Sequence, residues 1–416
     1  MSIFDTLESE VRSYCRSFPA VFDRAKGSHM FTEDGKDYID FFDGAGALSY
    51  GHNNTYIMNA IADYIRSEGI THALDLSTRA KREFLETFRD KVLVPGGLDY
   101  KVMFCGSTGT NSVEAALKLA RKVKKRQNIF AFSGAFHGMT LGALACTSDE
   151  HSRGGAGVAM GNVTFMPFPF GFNKTFDTIG YIENVLTDDH SGIDKPAAII
   201  LETVQAEGGV CVTEIDWLRR LRDLCDRHDI LLICDEIQVG CGRTGTFFSF
   251  QRAGIVPDMV TVSKSISGAG LPMSLLLLKP EIDIWTPAEH NGTFRGNQLA
   301  FVGAKAALEY MDANDLLSEV KRKAEIVESF VQKEILPLDA RIELRGLGLI
   351  QGIEFAAFDD DTLSKRITAK CFENGLVIER AGRKDSVVKI LPALTIDDAD
   401  LIKGLEIIRD AVKAVL

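Results

Sequence analysis

From about Gly51 to Leu308, short uninterrupted apolar runs alternate with stretches of helical spacing. The runs Lys101–Phe104, Asn128–Phe132, Ala197–Leu201, Ile230–Cys234 and Met259–Val262 are strand-sized and have no polar face. Such runs fit strands covered on both sides, as in a mainly parallel sheet wrapped by helices. Between them, Val113–Arg126, Trp217–His228 and Leu299–Met311 repeat apolar positions at helical spacing. In the first of these, Val113, Ala116, Leu117 and Ala120 form one stripe, while Glu114, Lys118, Arg121 and Lys122 point elsewhere. Upstream, Asp5–Arg16 predicts an amphipathic helix, and Met30–Phe42 predicts a β-hairpin turning at Asp34-Gly35. Downstream, the pattern predicts a charged helix over Leu317–Leu336, a strand over Leu347–Phe355, a further helix, and a closing helix from Asp397. The expected fold class is α/β, with a large domain over 51–310 and a smaller α+β domain over 311–416, joined by the segment 1–50.

Composition narrows the function classes more than the fold. The chain has 416 residues, 45% hydrophobic and 25% charged, enough for a sizeable core. Its net charge of −11 (Lys+Arg 47, Asp+Glu 58), without a basic stripe, argues against nucleic acid as the main partner. A few local cations could still hold an anionic substrate. No apolar run reaches the length of a membrane span, so no membrane role is expected. Eight scattered cysteines, with no C-x-x-C pair, no metal-ligand cluster and no leader pattern, predict reduced thiols in a cytoplasmic protein.

Three segments suggest chemistry. Cys105-Gly-Ser-Thr-Gly-Thr-Asn111 follows a strand and opens a helix, so its backbone N–H groups and the helix dipole suit a phosphate. Taken alone it reads more readily as a capped polar loop, and it lacks the Gly-Lys-Ser/Thr ending of a P-loop. Asp235 closes the run Ile230–Cys234, at a strand end where ligands bind in open parallel sheets. Lys264 follows Met259–Val262 and stands among small residues and glycines, where desolvation can lower its pKa and permit imine formation. A literal G-x-G-x-x-G at Gly240–Gly245 precedes Thr246-Phe-Phe-Ser-Phe250, which is no amphipathic helix. The dinucleotide reading therefore fails. A phosphate cradle, a carboxylate and a lysine, all at ends of expected parallel strands, are what pyridoxal 5′-phosphate (PLP) requires.

The same residues resemble class III (ω) aminotransferases of PLP-dependent transferase fold type I over nearly the whole chain. The resemblance runs through Asp34-Gly35, Gly51-His52-Asn53, Val113–Arg121, Phe136-His-Gly138, Glu202–Gly209, Asp235-Glu-Ile-Gln238, Gly242–Gly245, Ser263-Lys264 and Thr293–Asn297. It implies that Lys264 is the Schiff-base lysine and proton shuttle, and that Asp235 pairs with the pyridine nitrogen. It further implies Gln238 on the ring hydroxyl, Phe136 stacked on the ring, and Gly109 and Thr110 at the phosphate. Thr293 would reach the phosphate from a partner subunit, making a homodimer with shared sites the minimum unit and leaving a tetramer open. In the class, an Arg before a Pro-Pro-Leu segment binds the α-carboxylate of glutamate or 2-oxoglutarate, and a Glu neutralises it in the other half-reaction. Here the Glu is Glu207, but the cation is Lys389, in Lys389-Ile-Leu-Pro-Ala-Leu394. Lysine supplies the charge without the bidentate geometry of arginine. Ala206, Gln298 and Ala393 are smaller departures. Ser13–Pro19, Ser265–Met273 and His290–Asn297 look most like the subfamily that exchanges the terminal amino group of 2,4-diaminobutyrate with 2-oxoglutarate, the entry step to ectoine. Ornithine, 4-aminobutyrate or diaminopropionate as donor, an internal aminomutase, and a non-catalytic ligand-binding protein are the competing expectations.

Overall fold

The computed structural model describes residues 2–416. The strands β1 (Phe22–Lys26), β2 (His29–Thr32) and β3 (Asp37–Asp40) form an antiparallel meander, with Gly35 taking the positive φ at the hairpin turn. Next come β4 (Lys101–Phe104), β5 (Ile129–Phe132), β6 (Val163–Met166) and β7 (Ala198–Leu201). The two-residue strands β8 (Val204–Gln205) and β9 (Cys211–Val212) make a ribbon, followed by β10 (Leu231–Asp235), β11 (Met259–Val262) and β12 (Leu275–Leu278). The central sheet has the order β4-β12-β11-β10-β7-β5-β6, and only β12 runs against its neighbours.

The unbroken apolar runs have a direct cause. Successive residues of a strand face opposite sides, and both sides of this sheet are covered. Phe130, Phe132, Ile199, Leu201, Leu232 and Val260 face one core. Their neighbours Ile129, Ala131, Ala198, Ile200, Ile233 and Met259 face the other. The helix Gly109–Lys124 seals that second face with Val113, Ala116, Leu117 and Ala120, the stripe expected from its spacing.

The rest of the chain adds β13 (Glu343–Leu347), β14 (Ile350–Glu354), β15 (Leu376–Val377), β16 (Glu379–Ala381) and β17 (Val387–Ile390). Four of these form the sheet β13-β14-β17-β16, while β15 pairs in parallel with β3 and ties the two chain ends together. The single strand expected over Leu347–Phe355 is instead the second half of a hairpin, because Gly348 takes a left-handed φ of +60° and turns the chain. The closing helix Asp398–Val415 is capped by Asp397, whose side chain accepts from the Asp400 amide. Such a cap contributes about 1 kcal/mol.

At the amino end the expected helix breaks into Ile3–Leu7 and Tyr14–Ser17. Ser9 takes the Val11 and Arg12 amides into a local turn, and neither short helix buries a residue that would offset the break. No helix among the described residues is long and apolar enough to cross a membrane.

Candidate active site

The carboxyl ends of the parallel strands carry the site, as the topology of open α/β sheets favours. Beyond β5 the chain leads to Phe136 and His137, beyond β7 to Glu202, and beyond β11 to Lys264, while β10 ends in Asp235. With the start of the helix Gly109–Lys124 and the loop of the β8–β9 ribbon, these enclose a cavity of about 170 Å³. Of the residues singled out from the sequence, Gly109, Thr110, Phe136, Glu207, Asp235, Gln238 and Lys264 line it. Lys389 lies one layer behind, fully buried on β17. Thr293 sits on an exposed turn and does not line the cavity.

One end of the cavity is built for an anion. Asn111 accepts hydrogen bonds from the amide (3.1 Å) and hydroxyl (3.0 Å) of Thr108 and so fixes the helix start. The Gly109 and Thr110 amides, in the first helical turn, are left to point outward. Gly109 must lack a side chain, because a Cβ there would stand 2.8 Å from Ile237 Cδ1. Gly138, at φ +128°, passes so near Thr110 that a Cβ would meet its hydroxyl at 2.5 Å.

Across the floor, His137 Nδ1 lies 2.7 Å from Asp235 Oδ2, and the Ile237 amide donates to Asp235 Oδ1 at 3.1 Å. A carboxylate can only accept, so the proton is on Nδ1. Burial lowers the pKa of His137, but the hydrogen bond and charge of Asp235 outweigh it and leave it raised. Its Nε2 is buried without a partner. Glu202 accepts from the Phe136 amide (3.0 Å) and the Ala206 amide (3.2 Å), linking the Phe136 loop to the loop that carries Glu207. Burial pushes its carboxyl up to about 7, against the opposing pull of His137.

Lys264 lines the same cavity from the end of the neighbouring strand β11. Its backbone has a left-handed φ of +51°, and its Nζ donates to the Ala45 carbonyl at 2.8 Å. Burial lowers its pKa, partly offset by Glu207. The Gln238 amide nitrogen donates to the same carbonyl (3.0 Å) and to Glu207 Oε1 (3.0 Å).

Behind Glu207 stands a charge cluster that the sequence only half revealed. Lys389 Nζ is 2.8 Å from Glu207 Oε1 and 2.8 Å from Glu379 Oε1. The second carboxylate arises from strand register, since Glu379 on β16 is paired directly with Lys389 on β17. Burial alone would raise the Glu207 carboxyl, but Lys389 and Lys264 hold it down at about 2. Glu379, more deeply buried and facing a second carboxylate, is pushed up to about 7. Lys389, despite its burial, is held above its ordinary range by the two acids. Glu379, His137 and Glu202 were not assigned roles from the sequence. A charged residue inside the apolar run Leu376-Val-Ile-Glu379 was the available signal for the first.

The residues present suit PLP. The free amides at a glycine-lined helix start can take the phosphate, the buried carboxylate can take a protonated ring nitrogen, and the buried amine can take the aldehyde.

Comparison with known proteins agrees with this chemistry. The family described as Aminotransferase class-III matches residues 12–412. The diaminobutyrate–2-oxoglutarate transaminase of Streptomyces coelicolor is 53% identical over 99% of this chain and 98% of that one. The protein of the same name from Bordetella parapertussis is 52% identical over 99% of this chain and 95% of that one. Among solved structures, an ornithine aminotransferase from Toxoplasma gondii, with PLP partially occupying its active site, superposes with a TM-score of 0.87. It is 25% identical and covers 99% of this chain and 93% of that one. The chain belongs to the class III aminotransferases and has their α/β fold.

Proposed function

We propose that the protein is a PLP-dependent enzyme that transfers the terminal amino group of L-2,4-diaminobutyrate to 2-oxoglutarate, giving L-aspartate 4-semialdehyde and L-glutamate. The donor rests on relatives bearing that name at 52–53% identity across nearly the full chain. The observation that carries the amino transfer is one cavity bounded by Lys264, Asp235 and the free helix start at Gly109. PLP bound there supplies an electron sink for the carbon that bears the amino group.

The chain's own residues then have distinct tasks. Asp235, anchored by His137 and the Ile237 amide, holds the positive charge of the ring nitrogen. Gly109 and Thr110 would hold the phosphate, Phe136 would pack against the ring, and Gln238 would offer the ring hydroxyl a hydrogen bond. Lys264 Nζ would serve as the base that accepts the proton of the amino-bearing carbon and as the acid that gives it back. Burial helps, because a lysine with a lowered pKa is more often the neutral amine that can accept it. Glu207 and Lys389 separate the two half-reactions. With the pair closed, Lys389 is hidden and a terminal amine with no adjacent carboxylate can approach. With Glu207 turned aside, Lys389 can hold the α-carboxylate of glutamate or 2-oxoglutarate. Thr293, on its exposed turn, would serve the phosphate of a partner subunit, which makes a homodimer the working unit.

The test is purified protein supplied with 2-oxoglutarate and diaminobutyrate, ornithine or 4-aminobutyrate in turn, with glutamate quantified. Turnover with another donor and none with diaminobutyrate would overturn the substrate assignment. Diaminobutyrate consumed without any 2-oxoglutarate would mark an internal mutase, whereas transfer consumes the two in equal amounts.

A further inference from the structure

The glycine-rich segment Gly240–Gly245, which is no dinucleotide loop, carries Arg243, a fully buried arginine. Its guanidinium donates to Asp43 Oδ2 (2.5 Å), to Ser49 Oγ (3.1 Å), and to the carbonyls of Leu349 (3.1 Å) and Pro392. It therefore joins three distant stretches of chain at one point. The stretch that begins at Asp43 is conformationally costly. Asp43, Gly44, Ala45 and Gly46 have φ of +55°, +57°, +56° and +84°, four consecutive left-handed residues of which two carry a Cβ. A left-handed φ is unfavourable for a residue with a Cβ, and the geometry persists only where its surroundings impose it.

What the turn achieves is the aim of one carbonyl. Ala45 O accepts both Lys264 Nζ and Gln238 Nε2. The next carbonyl, Gly46 O, accepts the hydroxyl of Ser265 at 2.7 Å, and the Ser265 hydroxyl also meets Ser49 Oγ at 2.7 Å. Lys264 and its neighbour are thus bonded to successive carbonyls of the strained turn, while Asp43 and Ser49 on either side are held by Arg243.

We propose that the turn Asp43–Gly46 is a positioning element for Lys264. The Ala45 carbonyl receives the ε-amino group whenever it is not bonded to cofactor, and the Asp43–Arg243 pair and Ser265 keep that carbonyl in place. This rests on the functional reading of Lys264 given above. A carbonyl accepting one N–H leaves the lone pair of the neutral amine directed away from it, so the amine is oriented for proton transfer instead of swinging freely. The groups that set the charge state of Nζ are Glu207, Lys389, Glu379 and Asp235, together with burial. The carbonyl acts alongside them, favouring the ammonium form that donates most strongly to it.

The experiment uses Ser265→Ala, a small change, and Asp43→Asn, an uncharged isostere. In cofactor-free protein, the labelling of Lys264 by an amine-reactive reagent is followed against pH by peptide mass spectrometry. Loss of the carbonyl acceptor should move the labelling midpoint down by about 0.5–1 pH unit in both variants. In the loaded enzyme, the proton-transfer step should slow by about tenfold or more, with KM altered less than about threefold and the substrate-deuterium isotope effect increased. If Asp43→Asn does not fold by circular dichroism, Ser265→Ala decides alone. A wild-type labelling midpoint with a wild-type isotope effect in the folded variants would overturn the proposal. If borohydride fails to fix PLP on Lys264 of the wild type, the functional reading itself falls, and the cofactor-free labelling shift still reports on the turn.

Discussion

Replacing Lys389 by Met tests the charge cluster most directly, because it removes the cation between the half-buried Glu207 and the buried Glu379 and keeps the side-chain bulk. Lys389 is fully buried with both acids at 2.8 Å. At an effective dielectric constant of about 20, each contact is worth about 6 kcal/mol of gross attraction, most of it cancelled by desolvation. Removing one partner of such a cluster costs about 3–5 kcal/mol, since the remaining charges are left uncompensated. Unfolding entropy for a chain this long is about 0.9 kcal/mol per kelvin, so Tm should fall by about 3–6 °C near pH 8. The sign of the pH dependence follows from proton linkage. Without Lys389, the Glu379 carboxyl rises further and Glu207 keeps only Lys264 to hold it down, so above about pH 4.5 the folded variant holds more protons relative to its unfolded state than the wild type does. Stability then falls as pH rises through that window, so the deficit should shrink toward pH 5. In the wild type, Glu379, already raised to about 7, destabilises progressively between about 4.5 and 7 as pH rises. Glu207, held at about 2, contributes stability above about 4.5 that is lost as pH falls toward 2. Differential scanning fluorimetry at several pH values, with KM for 2-oxoglutarate measured in parallel, checks both consequences. KM should rise by about 10–100-fold. A pH-independent Tm shift, or an unchanged KM, would refute the reasoning.

Other substitutions separate the remaining roles. Lys264→Ala should abolish the borohydride-stable adduct and the imine absorbance band while leaving the fold intact by circular dichroism. Asp235→Asn should lower kcat by about 10²–10³-fold or more if its buried charge pairs with the ring nitrogen as proposed; kcat within threefold of wild type would exclude that pairing. Gly109→Ala places a Cβ 2.8 Å from Ile237 Cδ1, so PLP affinity measured by equilibrium dialysis should drop about tenfold or more, with Lys264 still able to react. Thr293→Ala should weaken PLP retention only in the dimer, a dependence on protein concentration that sedimentation paired with absorbance would register.

Much of the architecture was legible locally. The five apolar runs became strands of the central sheet within a residue or two; four of them are buried on both faces, which leaves no polar positions to obscure them, and the fifth, β4, is the half-buried edge. The helix Gly109–Lys124 followed from its stripe and its polar start. The expected amino-terminal helix failed because spacing alone says nothing of whether a face will be covered, and the residues of both short helices remain unburied. Gly348 likewise turned one expected strand into a hairpin, a backbone choice that apolar counting does not register.

The sequence by itself determined the chemical inventory of the site. Asp235 and Lys264 lie at strand ends, and strand ends in a parallel sheet share one edge. Only the tertiary structure decided which distant groups set their behaviour. Glu379 reaches Lys389 through the register of two antiparallel strands, and His137 reaches Asp235 across adjoining loops. Arg243 holds a turn 200 residues away in sequence, whose carbonyl meets Lys264. Charges and hydrogen bonds act over a few ångströms of space, whereas pattern along a chain reports only on neighbours within one element.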